Sequence, residues 1–132
     1  MSLPQVYGNL LVAQKVHFNY EQKSHSIENI YNNIYVEVMP SIAIVDVWAK
    51  LIFSGKETIE TWIEVLNPAN EIILNTEKIR MDNVREKHMQ PGIDFSMSIR
   101  FLVASEGNYS VKLYSEYNEI FTYIIFVSCI EN

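Results

Sequence analysis

The run Asp94-Phe95-Ser96-Met97-Ser98-Ile99-Arg100-Phe101-Leu102-Val103 constrains the fold more than any other part of the chain. Successive side chains of a β-strand point to opposite faces. Phe95, Met97, Ile99, Phe101 and Val103 therefore share one face, and Asp94, Ser96, Ser98 and Arg100 share the other. Glu106-Gly107-Asn108-Tyr109 follows, at the entrance to a second alternating run from Tyr109 to Glu116. An acid, a glycine and a tyrosine placed this way match a β-sandwich corner, where one strand hands over to the opposite sheet. The glycine permits a positive φ. The tyrosine hydroxyl is expected to bond back to the connecting backbone while its ring enters the core. These features point to a fold class and to no chemistry.

The remaining chain divides into similar strands. Val12, Gln14, Val16, Phe18 and Tyr20 alternate with Ala13, Lys15, His17 and Asn19, and the polar turn Glu21-Gln22-Lys23-Ser24 follows. Ile27 to Val38 is β-branched and aromatic, with a kink or bulge expected at Asn32-Asn33 and an end at Pro40. Ile42 to Phe53 sets Val45, Val47, Ala49, Leu51 and Phe53 on one face. Ser54-Gly55-Lys56 is a turn signal, and Thr58 to Leu66 sets Ile59, Thr61, Ile63 and Val65 on one face. Ile59, Trp62, Ile63 and Leu66 also fit helical spacing, but a hairpin with the preceding strand explains both segments. Asn67-Pro68-Ala69-Asn70 is a turn and Ile72 to Met81 a further strand. Asp82 to Gly92 reads as a loop, and Thr76 to Met89 is polar enough for a short surface helix, with coil or one helical turn as the alternative. A short turn at Tyr117-Asn118-Glu119 leads to a last strand ending near Cys129. The expectation is an all-β, immunoglobulin-like β-sandwich of seven to eight mostly antiparallel strands, residues 1–132 forming one domain.

Composition narrows the functional classes. Sixteen acidic against ten basic residues give a formal charge of −6, which repels phosphate backbones and anionic membranes. No apolar run approaches the length of a membrane span. Cys129 is the single cysteine, so no internal disulfide can form, and a reducing, cytoplasmic setting is expected. No basic segment followed by an apolar core opens the chain, so no signal peptide is expected, and Met1-Ser2-Leu3 is given no weight.

Met39-Pro40, Leu66-Asn67-Pro68, Glu106-Gly107-Asn108-Tyr109 and the run to Val127 occur in an order that resembles a family of short bacterial proteins, a domain of unknown function with an immunoglobulin-like β-sandwich. Asn32-Asn33 stands where that family has a Gly-containing turn. The resemblance implies a fold and carries no activity.

No phosphate loop, G-x-S-x-G, H-E-x-x-H or C-x-x-C is present, and His17, His25 and His88 have no metal-ligand spacing. No cofactor is expected. Aromatic placement stands out instead. A hairpin through Ser54-Gly55-Lys56 would set Phe53 opposite Glu57 and Trp48 opposite Trp62. Two indoles would then lie side by side on the outer face, ringed by Asp46, Lys50, Glu60 and Glu64. The last strand is apolar on both faces, with Phe121, Tyr123, Ile125 and Val127 on one side and Ile124 and Phe126 on the other. Such a face is either covered within the chain or sticky. The expected function is a non-catalytic binding or assembly module, with Trp48, Trp62, Asp46, Lys50 and Glu60 as binding residues. Its expected partner is a second copy or another protein. Two alternatives remain open: a carbohydrate platform on Trp48 and Trp62, or a small enzyme using Asp82, Arg85, Glu86 and His88 of the 82–92 loop.

Overall fold

The computed structural model describes residues 5–54 and 58–130. Met1-Ser2-Leu3, Gly55 and Lys56 of the expected turn, and Glu57 lie outside the described residues. Among the described residues there are ten strands: β1 (Gln5–Asn19), β2 (Ser24–Ile30), β3 (Asn33–Val36), β4 (Ser41–Ser54), β5 (Thr58–Leu66), β6 (Ile72–Asn75), β7 (Ile79–Asp82), β8 (Gly92–Val103), β9 (Gly107–Ser115) and β10 (Asn118–Cys129). One sheet has the order β2-β1-β4-β8, and the other β3-β10-β9-β5-β6, with β7 also paired to β5. Every pairing is antiparallel except β3 with β10. This is an all-β, immunoglobulin-like sandwich in which β1 is inserted beside β4. Among the described residues no helix is long and apolar enough to cross a membrane.

The core lies between the sheets and is built from the alternating positions. Val45, Val47, Ala49, Leu51 and Phe53 of β4 face Ile59, Ile63 and Val65 of β5 and Val111 and Leu113 of β9 within one buried cluster. On β8, Ile99, Phe101 and Val103 are buried, while Phe95 and Met97 are half-buried against the same core. Each fully buried aliphatic side chain contributes about 2 kcal/mol of transfer free energy. That gain fixes which face of each core strand turns inward.

The expected corner is present. Gly107 has φ +142°, and a Cβ there would approach Pro68 to 2.8 Å. Tyr109 is buried, its hydroxyl donates to the Ser105 carbonyl at 2.8 Å, and its ring packs on Phe101. The 67–70 turn also forms, with the Asn67 side-chain oxygen accepting from the Ala69 and Glu71 amides at 2.9 Å.

The strand count exceeds the expected seven to eight because two predicted strands are each divided. At Asn32-Asn33 the break is a change of sheet rather than a kink. Tyr31 N–H still donates to Val12 C=O in the first sheet, at 2.8 Å. Asn32 C=O already accepts from Phe126 N–H in the second, at 3.2 Å. The predicted 72–81 strand is interrupted between β6 and β7. Thr76 there satisfies Ile63 twice, its hydroxyl accepting from Ile63 N–H and its amide donating to Ile63 C=O.

The largest correction concerns β4 and β5, which form no hairpin. β4 lies between β1 and β8, and β5 lies in the other sheet between β9 and the β6–β7 edge. The chain changes sheets between Ser54 and Thr58. Side-chain parity was predicted correctly for both strands, but parity holds equally for two strands in one sheet and for two strands facing each other across a core.

Candidate functional site

That change of sheet separates the residues expected to form one site. Asp46, Trp48 and Lys50 occupy the outer face of the first sheet, opposite the core positions Val45, Val47 and Ala49. Glu60 and Trp62 occupy the outer face of the second sheet. The hydrophobic core lies between the two sets. Trp48 does not meet Trp62, and the expected pairing of Phe53 with Glu57 falls on a residue outside those described. The cross-strand neighbours of Trp48 are Leu11 and Ser96.

On the first sheet, β1 pairs with β4 only as far as Ala13 opposite Asp46. Beyond that point the β1–β2 hairpin bends over the outer face. The Asp46 carboxylate takes the place of the missing ladder. It accepts from the Val16 amide at 2.9 Å and from the Ser98 hydroxyl at 2.5 Å, with the Lys15 ammonium 4.0 Å away. Burial alone would raise the pKa of this carboxyl. The hydrogen bonds from Ser98 and Val16, with the charges of Lys15 and His17, outweigh burial and hold it below the usual carboxylate value. Gln14 marks the departure, because it is a polar, exposed residue in the parity class of Val12 and Val16. That residue was the available signal for the bend.

The bent hairpin covers Trp48. His25 meets the indole edge-on at 6.4 Å between ring centres, and Phe18 lies 4.9 Å from both His25 and Tyr20. The Trp48 Nε1–H is buried with no protein acceptor among the described residues. Beside this aromatic row is an open cavity of about 550 Å³, with Phe18, Tyr20 and His25 on one wall and Val84, Arg85 and Met89 on the other. Lys50 pairs with Asp94 at 3.6 Å on the same face.

On the second sheet, Trp62 stacks on its cross-strand neighbour Tyr114, with ring centres 5.5 Å apart and planes 5° from parallel. Tyr117 meets it edge-on at 5.6 Å. The β9–β10 turn presents Tyr117 through two consecutive positive-φ residues, Glu116 and Tyr117. Lys78, from the break between β6 and β7, lies 5.1 Å from the indole centre and donates to the Tyr117 hydroxyl at 3.0 Å. That bond is the main reason the Lys78 pKa is raised, outweighing partial desolvation. Glu60 anchors the same turn through its backbone, accepting from the Ser115 hydroxyl at 2.9 Å and the Glu116 amide at 3.2 Å. Trp62 is left only 8% exposed, without the open ring face that sugar stacking needs.

Asp82, Arg85, Glu86 and His88 do not converge. Asp82 accepts from Thr58 at 2.9 Å and from Arg80 at 3.2 Å. Arg85 donates to the Gln90 carbonyl at 3.0 Å. His88 sits 3.5 Å from Glu86, and both side chains are largely exposed. The 82–92 loop forms as expected, with a single turn at Glu86–Met89.

The apolar outer side of β10 is open. Ile124 is 51% and Phe126 42% exposed, and Tyr35, diagonal to Phe126 on β3, is 66% exposed. Their neighbours on β9 are the small polar residues Ser110 and Asn108. The sequence feature that points here is the double-sided apolar pattern of β10; the contribution of Tyr35 was not visible, because β3 was not expected to leave its sheet.

No family model matches the chain, and a search of curated proteins gave no match. Among solved structures, it is similar to an immunoglobulin-like protein from Pseudomonas aeruginosa, with 12% identity, a TM-score of 0.41, and coverage of 94% of this chain and 97% of that one. It is also similar to part of a β-glucosidase from Listeria innocua, with 10% identity and a TM-score of 0.40. That match covers 96% of this chain, which spans 16% of the β-glucosidase.

Proposed function

We infer that the protein is a non-catalytic binding module that contacts another protein through the outer face formed by β10 and β3. The observation that carries this reading is the exposure of Ile124, Phe126 and Tyr35 together on a sheet that covers its other large aromatics, Trp62 and Tyr114, with its own residues. Covering each half-exposed side chain returns about 1 kcal/mol of apolar burial. A flat aromatic and aliphatic patch with small polar neighbours is the composition of a protein contact surface. Dispersal of the charged residues of the 82–92 loop disfavours the enzymatic alternative. A single cysteine, free of any internal disulfide, suits the cytoplasm.

Affinity purification from the source organism tests the reading, using the wild type, Ile124→Lys/Phe126→Lys, and Ile44→Lys on the opposite outer face. A partner retained by the wild type and Ile44→Lys but lost by the double variant is the expected result. Identical partner sets for all three proteins refute it.

A further inference from the structure

Among the described residues β8 is a sheet edge, paired only with β4. In an antiparallel ladder, bonded and non-bonded residue pairs alternate. Phe53 N–H donates to Pro91 C=O, so the odd-numbered residues of β8 bond to β4. The even-numbered residues turn their N–H and C=O groups to the free side. Gly92 agrees with this assignment, since Asn83 takes its N–H at 3.0 Å and Val84 takes its C=O at 3.3 Å. Beyond Gly92, the outward groups of Asp94, Ser96, Ser98, Arg100 and Leu102 have no protein partner among the described residues. The ladder with β4 has no register shift, and the strand contains no proline. Exposed edges are ordinarily protected by bulges, prolines or inward charges. This one has none of the three.

We propose that β8 pairs antiparallel with β8 of a second copy about a two-fold axis at Met97, joining the first sheets of two protomers into one continuous sheet. Charge selects both the occupant and the register. Placing the axis at Met97 sets Asp94 opposite Arg100 of the second copy, twice by symmetry, and Ser96 opposite Ser98. All of these residues turn their backbone groups outward, so the pairs are the bonded ones. Asp94 already holds Lys50 at 3.6 Å, whereas Arg100 is exposed and has no ion-pair partner among the described residues. An axis at Ser98 would set Asp94 against Leu102. An axis at Ser96 would set Asp94 against Ser98 and Arg100 against Gly92, leaving both charges without a cross-strand partner. On the core side, Phe95 meets Ile99 and Met97 meets Met97, which adds cover to two of the three residues of β8 that a single copy leaves half-buried. The β10–β3 face takes no part, so the two readings fail separately.

Sedimentation velocity over a concentration series tests the pairing. The wild type dimerises, and Ile124→Lys/Phe126→Lys dimerises equally well. Arg100→Asp and Asp94→Arg each weaken the dimer about tenfold or more, because two attractive cross-strand pairs become repulsive. Mixing these two variants restores association as a heterodimer. A covalent check does not depend on those charges. In a Cys129→Ser background, Met97→Cys forms a disulfide-linked dimer under mild oxidation, since non-bonded antiparallel partners lie about 4.5 Å apart at Cα. Leu102→Cys forms none. A monomeric wild type at high concentration, a dimer indifferent to both charge reversals, or equal cross-linking at positions 97 and 102 would each overturn the proposal.

Discussion

The two tryptophans occupy equivalent places, each on the outer face of a central strand, and the protein covers them by different means. Trp62 is covered within its own sheet and at its edge. Tyr114 is its cross-strand neighbour, and Tyr117 and Lys78 come from the adjoining turn and edge. Trp48 has Leu11 and Ser96 as cross-strand neighbours, and neither offers a ring of comparable size. Its cover is a hairpin folded over the sheet and held by Asp46. A cross-strand pair forms whenever the sheet forms, whereas a folded-over hairpin has its own local equilibrium. The two outer faces should therefore differ in cooperativity.

The largest expected effect is at Trp62. Trp62→Ala should cost about 3 kcal/mol in chemical denaturation, since the indole is nearly buried. A loss below about 1 kcal/mol would show that the stack adds little and would remove the contrast. Asp46→Ala comes next, at about 2 kcal/mol, because it leaves the Val16 amide without its acceptor and the Ser98 hydroxyl unpaired.

The same carboxylate gives a pH test. Its folded pKa lies below the unfolded value, so its contribution is fully present above the ordinary carboxylate pKa. That contribution is lost as pH falls through the lowered folded value. Asp46→Asn should therefore narrow its stability gap to the wild type in acid. A gap that stays constant from neutral pH to acid would break the assignment.

A smaller effect separates the two modes of cover. A double-mutant cycle between Trp62 and Tyr114 should show coupling near 1 kcal/mol. In a Trp62→Phe background, where Trp48 is the only indole, His25→Ala should shift Trp48 emission to the red with a global stability change below about 1 kcal/mol. A cooperative loss of stability instead would mean that the hairpin belongs to the main folding unit. Least of all, Lys78→Met should lower the thermal midpoint only slightly, because the cation–π contact it removes is exposed to solvent.

The sequence by itself determined which side of each strand faces the core, because alternation is a local property of extended backbone and apolar burial rewards one parity. The β8 pattern, the Gly107–Tyr109 corner and the two-sided apolar character of β10 were all legible in this way. Tertiary structure alone decided which sheet each strand joined. Parity cannot tell a hairpin from a crossing between sheets, so Trp48 and Trp62 were expected together and are separated by the core. Asn32-Asn33 and Thr76 divide predicted strands through hydrogen bonds to residues distant in sequence, Phe126 and Ile63. The bend of β1 past Ala13 likewise depends on Asp46, a partner thirty positions away from Val16 whose carboxylate no local pattern could assign.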